Sequence, residues 1–348
     1  MKINWNYLIG SDDKIDKNYN IQNRPDPDNG CKKLYDDFIE VFFQHGSIFG
    51  SNFEIENKEN QYKYDPRFDW EKQWENYEKV NDVVKPRDKK LQAPFYTIKV
   101  NESLKGKEWL LSIDYIGPSI NWALRELEIG GLSKDDIIET LNVCRTIGGH
   151  IVWPRGSNLV YKINQTRGGG NSVYDRIDWT LYLLQFCYKY DFDITKIREI
   201  VIQTYQKETF YRISKLISAI CESKSWFNEL GSFNGFCDQF ILKGSFVDEN
   251  YEVKWFAKMF PMFPEDYKQF SLNNVNAVKQ RNLNILLAKY GHIIDELFCD
   301  GEETYLLKDL KHKFENEGIV DENDFNDALE ECLLQGWIID CGNGIYTR

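Results

Sequence analysis

Hydrophobic positions change their spacing several times along the chain, and each change marks an element. Residues 1–30 are polar and turn-rich, with Arg24-Pro25-Asp26-Pro27-Asp28-Asn29-Gly30 reading as a loop. Leu34, Phe38, Val41 and Phe42 then recur at spacings of four, three and one, which predicts an amphipathic helix of about three turns. Residues 57–92 are densely charged but interleaved with Tyr62, Tyr64, Phe68, Trp70, Trp74 and Tyr77, the pattern of an irregular or helical surface segment. Two strand-like runs follow, Phe95–Val100 and Trp109–Ile113. A helix is expected from about Pro118 to Glu128, ending at Gly130-Gly131. Ser133 with Asp136 three residues on is a capping box that opens the next helix.

The centre of the chain has a different rhythm. Gly148-Gly149 reads as the end of that helix, His150–Trp153 as a strand, Pro154–Asn158 as a turn and Leu159–Ile163 as a returning strand. Ser172 and Asp175 mark a further helix start, with Ile177, Leu181, Leu184 and Tyr188 as its buried stripe. Residues 195–242 and 273–298 read as helical, joined by an aromatic-rich connection around Trp255 and Phe256. Beyond Tyr305, a helix carrying Leu306, Leu307, Leu310 and Phe314 is ended by Gly318, and a second opens at Asp321 and is stopped by Gly336. A short hairpin turning at Gly342-Asn343-Gly344 closes the pattern, in the order of a winged-helix module. The expected fold is α+β: a mainly helical domain with a small central hairpin or sheet over residues 1–295, and a winged-helix-like domain over 300–348.

A chain of 348 residues with 42% apolar and 15% aromatic content has ample material for a core and is expected to form two domains. It contains no run of about 18 consecutive apolar residues, so no transmembrane helix is predicted. The first residues lack the apolar stretch and small-residue cleavage site of a secretion signal. The eight cysteines stand singly with no CxxC pair, which points to reduced thiols in a cytoplasm. Net charge is −12 overall, but residues 295–348 hold 4 basic against 15 acidic groups, a net of −11. A winged helix so acidic is not expected to hold duplex DNA, because its carboxylates repel phosphate; docking onto a protein partner is the better expectation.

The reverse asymmetry lies at the centre. From Arg145 to Asp178 the basic residues Arg145, Arg155, Lys162, Arg167 and Arg176 face only Asp175 and Asp178. Here Asn164, Gln165 and Arg167 lead into Gly168-Gly169-Gly170, a loop that runs toward a helix start. Backbone N–H groups at such a start favour an anion, and an adjacent arginine offers a bidentate phosphate contact. The candidate phosphate ligands are therefore Arg155, Asn164, Gln165, Arg167, Gly168, Gly169, Gly170 and Arg176, with a nucleotide or RNA as the expected partner. The alternative is that the glycines only make the turn while the arginines pair with Asp175, Asp178 or carbonyls. The loop is neither a Walker A nor a GxGxxG motif, and no cofactor is predicted.

Arg145 and His150 are the candidate catalytic pair. Their R-x4-H spacing resembles the signature of HEPN ribonucleases, a resemblance that implies metal-independent RNA cleavage as in a toxin or defence effector. In that family the motif sits on a helix, whereas Gly148-Gly149 interrupts one here. The chemistry is coherent, since histidine exchanges a proton near neutral pH and arginine stabilises a phosphorane. The alternative is that His150 hydrogen-bonds the core. NAD-dependent ADP-ribosyl transfer is a second enzymatic option, without an assignable catalytic glutamate. The four histidines are scattered, so no metal site is predicted. Asp114 reads as a turn former.

Several segments together resemble a bacterial family of unknown function. They are Asp26-Pro27-Asp28, Gly148-Gly149-His150-Ile151-Val152-Trp153-Pro154, Ile163-Asn164-Gln165-Thr166-Arg167-Gly168 and Asp175-Arg176-Ile177-Asp178-Trp179-Thr180-Leu181, with Phe233–Phe240 and Gln280-Arg281-Asn282 later. The resemblance spans residues 25–292 and implies a bacterial cytosolic protein but no activity. Gly169-Gly170 and the C-terminal module lie outside its pattern.

Overall fold

The computed structural model describes residues 32–44, 53–58, 77–80, 83–86, 95–102, 107–117, 130–155, 163, 176–204, 207–257, 263–299, 305–316 and 338–347, together with 325, 326, 329 and 333. Helix α1 (Lys32–Ile39) continues through a π turn, Glu40–Gln44. Its stripe of Leu34, Phe38, Val41 and Phe42 is buried, as the spacing predicts. Strands β1 (Phe53–Lys58), β2 (Tyr77–Val80), β3 (Val83–Pro86), β4 (Phe95–Glu102) and β5 (Lys107–Tyr115) follow. The charged segment 57–92 thus contains an antiparallel β2–β3 hairpin, where an irregular or helical segment was expected.

Helix α2 (Lys134–Cys144) begins at the capping box read from the sequence. Asp136 N donates to Ser133 Oγ at 3.1 Å and Ser133 N to Asp136 Oδ2 at 3.0 Å. The helix stops at Cys144, earlier than expected, and a separate 3-10 turn, Ile147–Gly149, leads into β6 (His150–Pro154). That early stop has a steric cause. A Cβ on Gly149 would lie 1.9 Å from the Cys144 carbonyl oxygen, so the chain folds back onto the helix end where only glycine fits.

Strand β6 is expected to turn back onto residues 159–163, of which 159–162 lie outside the described residues. Its recorded partner is β5, in register from Leu111↔Pro154 to Tyr115↔His150, and Ile163 lies in helical backbone. The sheet is antiparallel in the order β1-β4-β5-β6. All five β6 residues are buried, which explains why the strand reads as a continuous apolar run rather than an alternation. The pairing also places Asp114 inside β5 opposite Ile151, and not in the turn assigned from the sequence.

The helices α3 (Ile177–Lys189), α4 (Ile194–Thr204), α5 (Lys207–Glu222), α6 (Lys224–Glu229) and α7 (Phe233–Gln239) follow, and α6 and α7 meet the sheet. Trp153 stacks on Phe236 at 5.8 Å and Trp109 meets Trp226 edge-on at 5.8 Å, so large aromatics seal the layers. Helix α8 (Pro264–Cys299) is 36 residues long, about 54 Å at the usual rise. Its N-terminal proline suits the first helical position, nine residues before the start read from periodicity. Strand β7 (Tyr305–Leu306), helix α9 (Leu307–Asn316) and strands β8 (Ile339–Gly342) and β9 (Ile345–Thr347) form a smaller unit with sheet order β7-β9-β8. The Gly342-Asn343-Gly344 turn has positive φ at all three residues (84°, 57° and 71°), as that tripeptide predicts. The chain is α+β.

Candidate active site

A polar layer lies where the end of α2, the 3-10 turn and the ends of β5 and β6 meet one face of α8. That face carries Phe270, Ser271, Asn274, Val278, Arg281, Asn282 and Ile285, all buried and spaced by threes and fours. Polar groups inside a helix stripe cost free energy unless they find partners, and Ser271, Asn274, Arg281 and Asn282 each make at least one hydrogen bond, although Asn274 Oδ1 has none among the described residues. Asn274 Nδ2 donates to the Ile116 carbonyl at 3.1 Å. Asn282 Oδ1 accepts from Gly148 N at 2.8 Å, and its Nδ2 donates to Thr146 Oγ1 at 2.6 Å. Gly148 is needed for this approach, because a Cβ there would stand 2.5 Å from Asn282 Oδ1.

Arg281 is 0% exposed. It donates to the carbonyls of Phe240 (3.1 and 2.8 Å), Gly148 (3.1 Å) and His150 (2.5 Å), and its guanidinium lies 5.1 Å from the Phe42 ring centroid. These hydrogen-bond partners are neutral. Among the described residues no carboxylate forms an ion pair with this cation, and burial lowers its pKa to about 9.

Beside it sit the two residues proposed for chemistry. His150, 0% exposed, opens β6, and Arg145, 1% exposed, lies in the turn after α2. Register pairs His150 with Tyr115, so both rings share one face with centroids 5.7 Å apart, and the Arg145 guanidinium lies 5.8 Å from the Tyr115 ring. The 2.8 Å contact from His150 Nδ1 to the Thr146 carbonyl defines the tautomer. A carbonyl only accepts, so Nδ1 carries the proton and Nε2 is the basic nitrogen of the neutral ring. Burial, more than anything else, drives the His150 pKa down to about 3. The Thr146 contact opposes the shift, while the charges of Arg145 and Arg281 both add to it. The result is a neutral imidazole that feels both the Arg145 and the Arg281 charge.

The remaining predicted residues divide. Arg176 is 1% exposed at the N-terminus of α3 and engages Asp178 through Nε (2.7 Å) and Nη2 (2.9 Å). Asp178 also accepts from the backbone of Trp179 (2.8 Å) and Phe256 (3.2 Å). This is the pairing weighed as the alternative for Arg176. The Arg176 guanidinium lies 5.6 Å from the Phe270 ring centroid. Phe270 is eleven residues from Arg281 along α8, about 16 Å. Arg176 is thus on the same helix face as His150 but in a separate cluster. Arg155 follows β6, half-buried, with its backbone N–H on the Leu110 carbonyl at 2.6 Å; burial lowers its pKa. Asn164, Gln165, Arg167, Gly168, Gly169 and Gly170 lie outside the described residues.

Sequence reasoning missed Tyr115, Asn274, Arg281 and Asn282 as members of the layer. A signal existed for the last two, because Gln280-Arg281-Asn282 was among the segments that carry the family resemblance. Among the described residues no group of three or more His, Cys, Asp or Glu is placed to hold a metal, and no helix is long and apolar enough to cross a membrane. A family of unknown function (DUF6994) matches residues 70–193, within the 25–292 stretch read from the motifs and including Arg145, His150 and Arg176. No curated protein and no solved structure matches the chain.

Proposed function

We propose that the chain binds a phosphate-bearing ligand, a nucleotide or RNA, with its charge centre at Arg145, His150 and Arg281. The segment running through Arg155, Asn164, Gln165, Arg167 and Gly168–Gly170 is its anchor. The observation that supports this reading is that two guanidinium charges bear on one buried neutral imidazole, while the hydrogen-bond partners of Arg281 are neutral carbonyls. Such a centre attracts an anion strongly because little water screens it. A bound phosphate would also raise the His150 pKa, so binding would take up a proton at mildly acidic pH. In the ribonuclease version, His150 Nε2 removes the proton from a ribose 2′-hydroxyl and Arg145 stabilises the charged phosphorane that follows. Because both side chains are enclosed, this chemistry requires the layer over them to open.

That enclosure favours a second reading. Arg145, His150, Arg281 and Asn282 then serve as an interior network that fastens α8 to the sheet, and function resides in protein docking through the acidic C-terminal unit. The succession β7, α9, β8, β9 supports a winged-helix-like arrangement for that unit.

Calorimetric titration of the full chain with ATP, NAD and a short single-stranded RNA separates the readings. The phosphate reading expects binding by at least one ligand, weakened by about 1.5–3 kcal/mol in Arg167→Ala with little change in stability. Absence of binding by all three overturns it. If RNA binds, cleavage in excess EDTA that is abolished in His150→Ala supports the chemistry. Cleavage that persists in that variant removes it.

A further inference from the structure

Away from this layer, helices α3 and α5 bring two cysteines together. Cys187 Sγ and Cys221 Sγ are 4.0 Å apart, although 34 residues separate them in sequence. Cys187 is 0% exposed, whereas Cys221 is partly exposed and reachable by a small solute. A cation is fixed beside the pair. Arg198 Nη2 donates to Ser218 Oγ at 2.8 Å, and Ser218 precedes Cys221 by three residues, one turn along the same face of α5. Arg198 Nε is buried with no hydrogen-bond partner among the described residues.

We infer that Cys187 and Cys221 form a peroxide-reactive dithiol, with Cys221 as the attacking sulfur, Cys187 as the resolving sulfur and Arg198 as a positioning residue. The two thiols are chemically unequal. The hydrogen bond from the Cys187 thiol and the Arg198 charge lower the Cys221 pKa, against burial and the nearby carboxylates of Asp193 and Glu222. The same hydrogen bond and burial raise that of Cys187. A thiolate is the reactive form, so the more exposed sulfur is also the better nucleophile.

The reaction balances with a hydroperoxide as oxidant. The Cys221 thiolate attacks the terminal peroxide oxygen, the O–O bond breaks, and the departing alkoxide or hydroxide takes up a proton. Cys221 becomes a sulfenic acid. Cys187 then attacks the Cys221 sulfur, the S–O bond breaks, and hydroxide leaves with the Cys187 proton as water. Two thiols are oxidised to one disulfide while one peroxide is reduced. The sulfurs must close by about 2 Å to reach the length of a disulfide bond. The product would staple α3 to α5.

The test uses the full-length chain, reduced, freed of reductant and treated with one equivalent of hydrogen peroxide before alkylation and digestion. The exposed Cys341 is an internal reference thiol. The expected result is a linked Cys187–Cys221 peptide, formed several-fold faster than Cys341 is oxidised. Cys187→Ser should halt at a sulfenic acid on Cys221 that dimedone traps, and Cys221→Ser should leave Cys187 unoxidised. In Arg198→Gln the pH profile of Cys221 alkylation should move to higher pH. Full alkylation of both cysteines after peroxide treatment overturns the dithiol. An unmoved alkylation profile in Arg198→Gln overturns the role of the arginine.

Discussion

Acidification should destabilise the wild-type chain more than a His150→Asn chain, and the difference is calculable. The His150 pKa falls from an ordinary 6.5 to about 3 in the folded protein. A group whose folded pKa is depressed contributes full stability above its unfolded pKa and loses it as pH falls toward the folded value. Between about pH 6.5 and pH 3, the unfolded chain takes up a proton at His150 that the folded chain refuses. Each pH unit in that window costs about 1.4 kcal/mol, so at about pH 4.5 the loss from this residue alone is about 3 kcal/mol. Asparagine is the informative substitution because its Nδ2 replaces the Nδ1 donor to the Thr146 carbonyl but cannot titrate. Carboxylates also titrate in this range, so the quantity to compare is the change in unfolding free energy from about pH 7.5 to pH 4.5 in each chain. Denaturant titrations followed by tryptophan fluorescence supply it. Parallel losses in the two chains would refute the reasoning, as would an NMR titration of His150 with a midpoint near its ordinary value.

Two further outcomes follow from the same physics. Arg176→Gln leaves the buried Asp178 carboxylate without its bidentate cation and should cost about 3–5 kcal/mol in denaturant unfolding; a loss below about 1 kcal/mol would contradict the enclosed pair. At physiological salt, residues 300–348 should bind no duplex DNA, since acidic groups over 295–348 outnumber basic ones by 15 to 4; salt-sensitive binding in a mobility-shift assay would overturn this.

Local rules carried the sequence reading wherever one short segment held all the information. The capping box at Ser133, the helical stripe from Leu34 to Phe42, strands β4 and β5 and the Gly342-Asn343-Gly344 turn depend on neighbours a few residues away, and all four were legible. Strand β6 was legible as a strand but not its partner, because a fully buried strand has no alternation to reveal which edge it joins. Its pairing with β5 joins segments separated by the whole of α2, which no local rule foretells. The polar centre shows the same division. The R-x4-H spacing, through its resemblance to a ribonuclease signature, singled out Arg145 and His150 as a pair of chemical interest. Only the tertiary structure decided what surrounds them. Arg281 and Asn282 arrive from more than 130 residues away; burial of His150 keeps its ring neutral, and the Arg281 charge pushes in the same direction. A histidine's type can be read from one letter, but its pKa is fixed by desolvation and by charges that the fold brings from elsewhere.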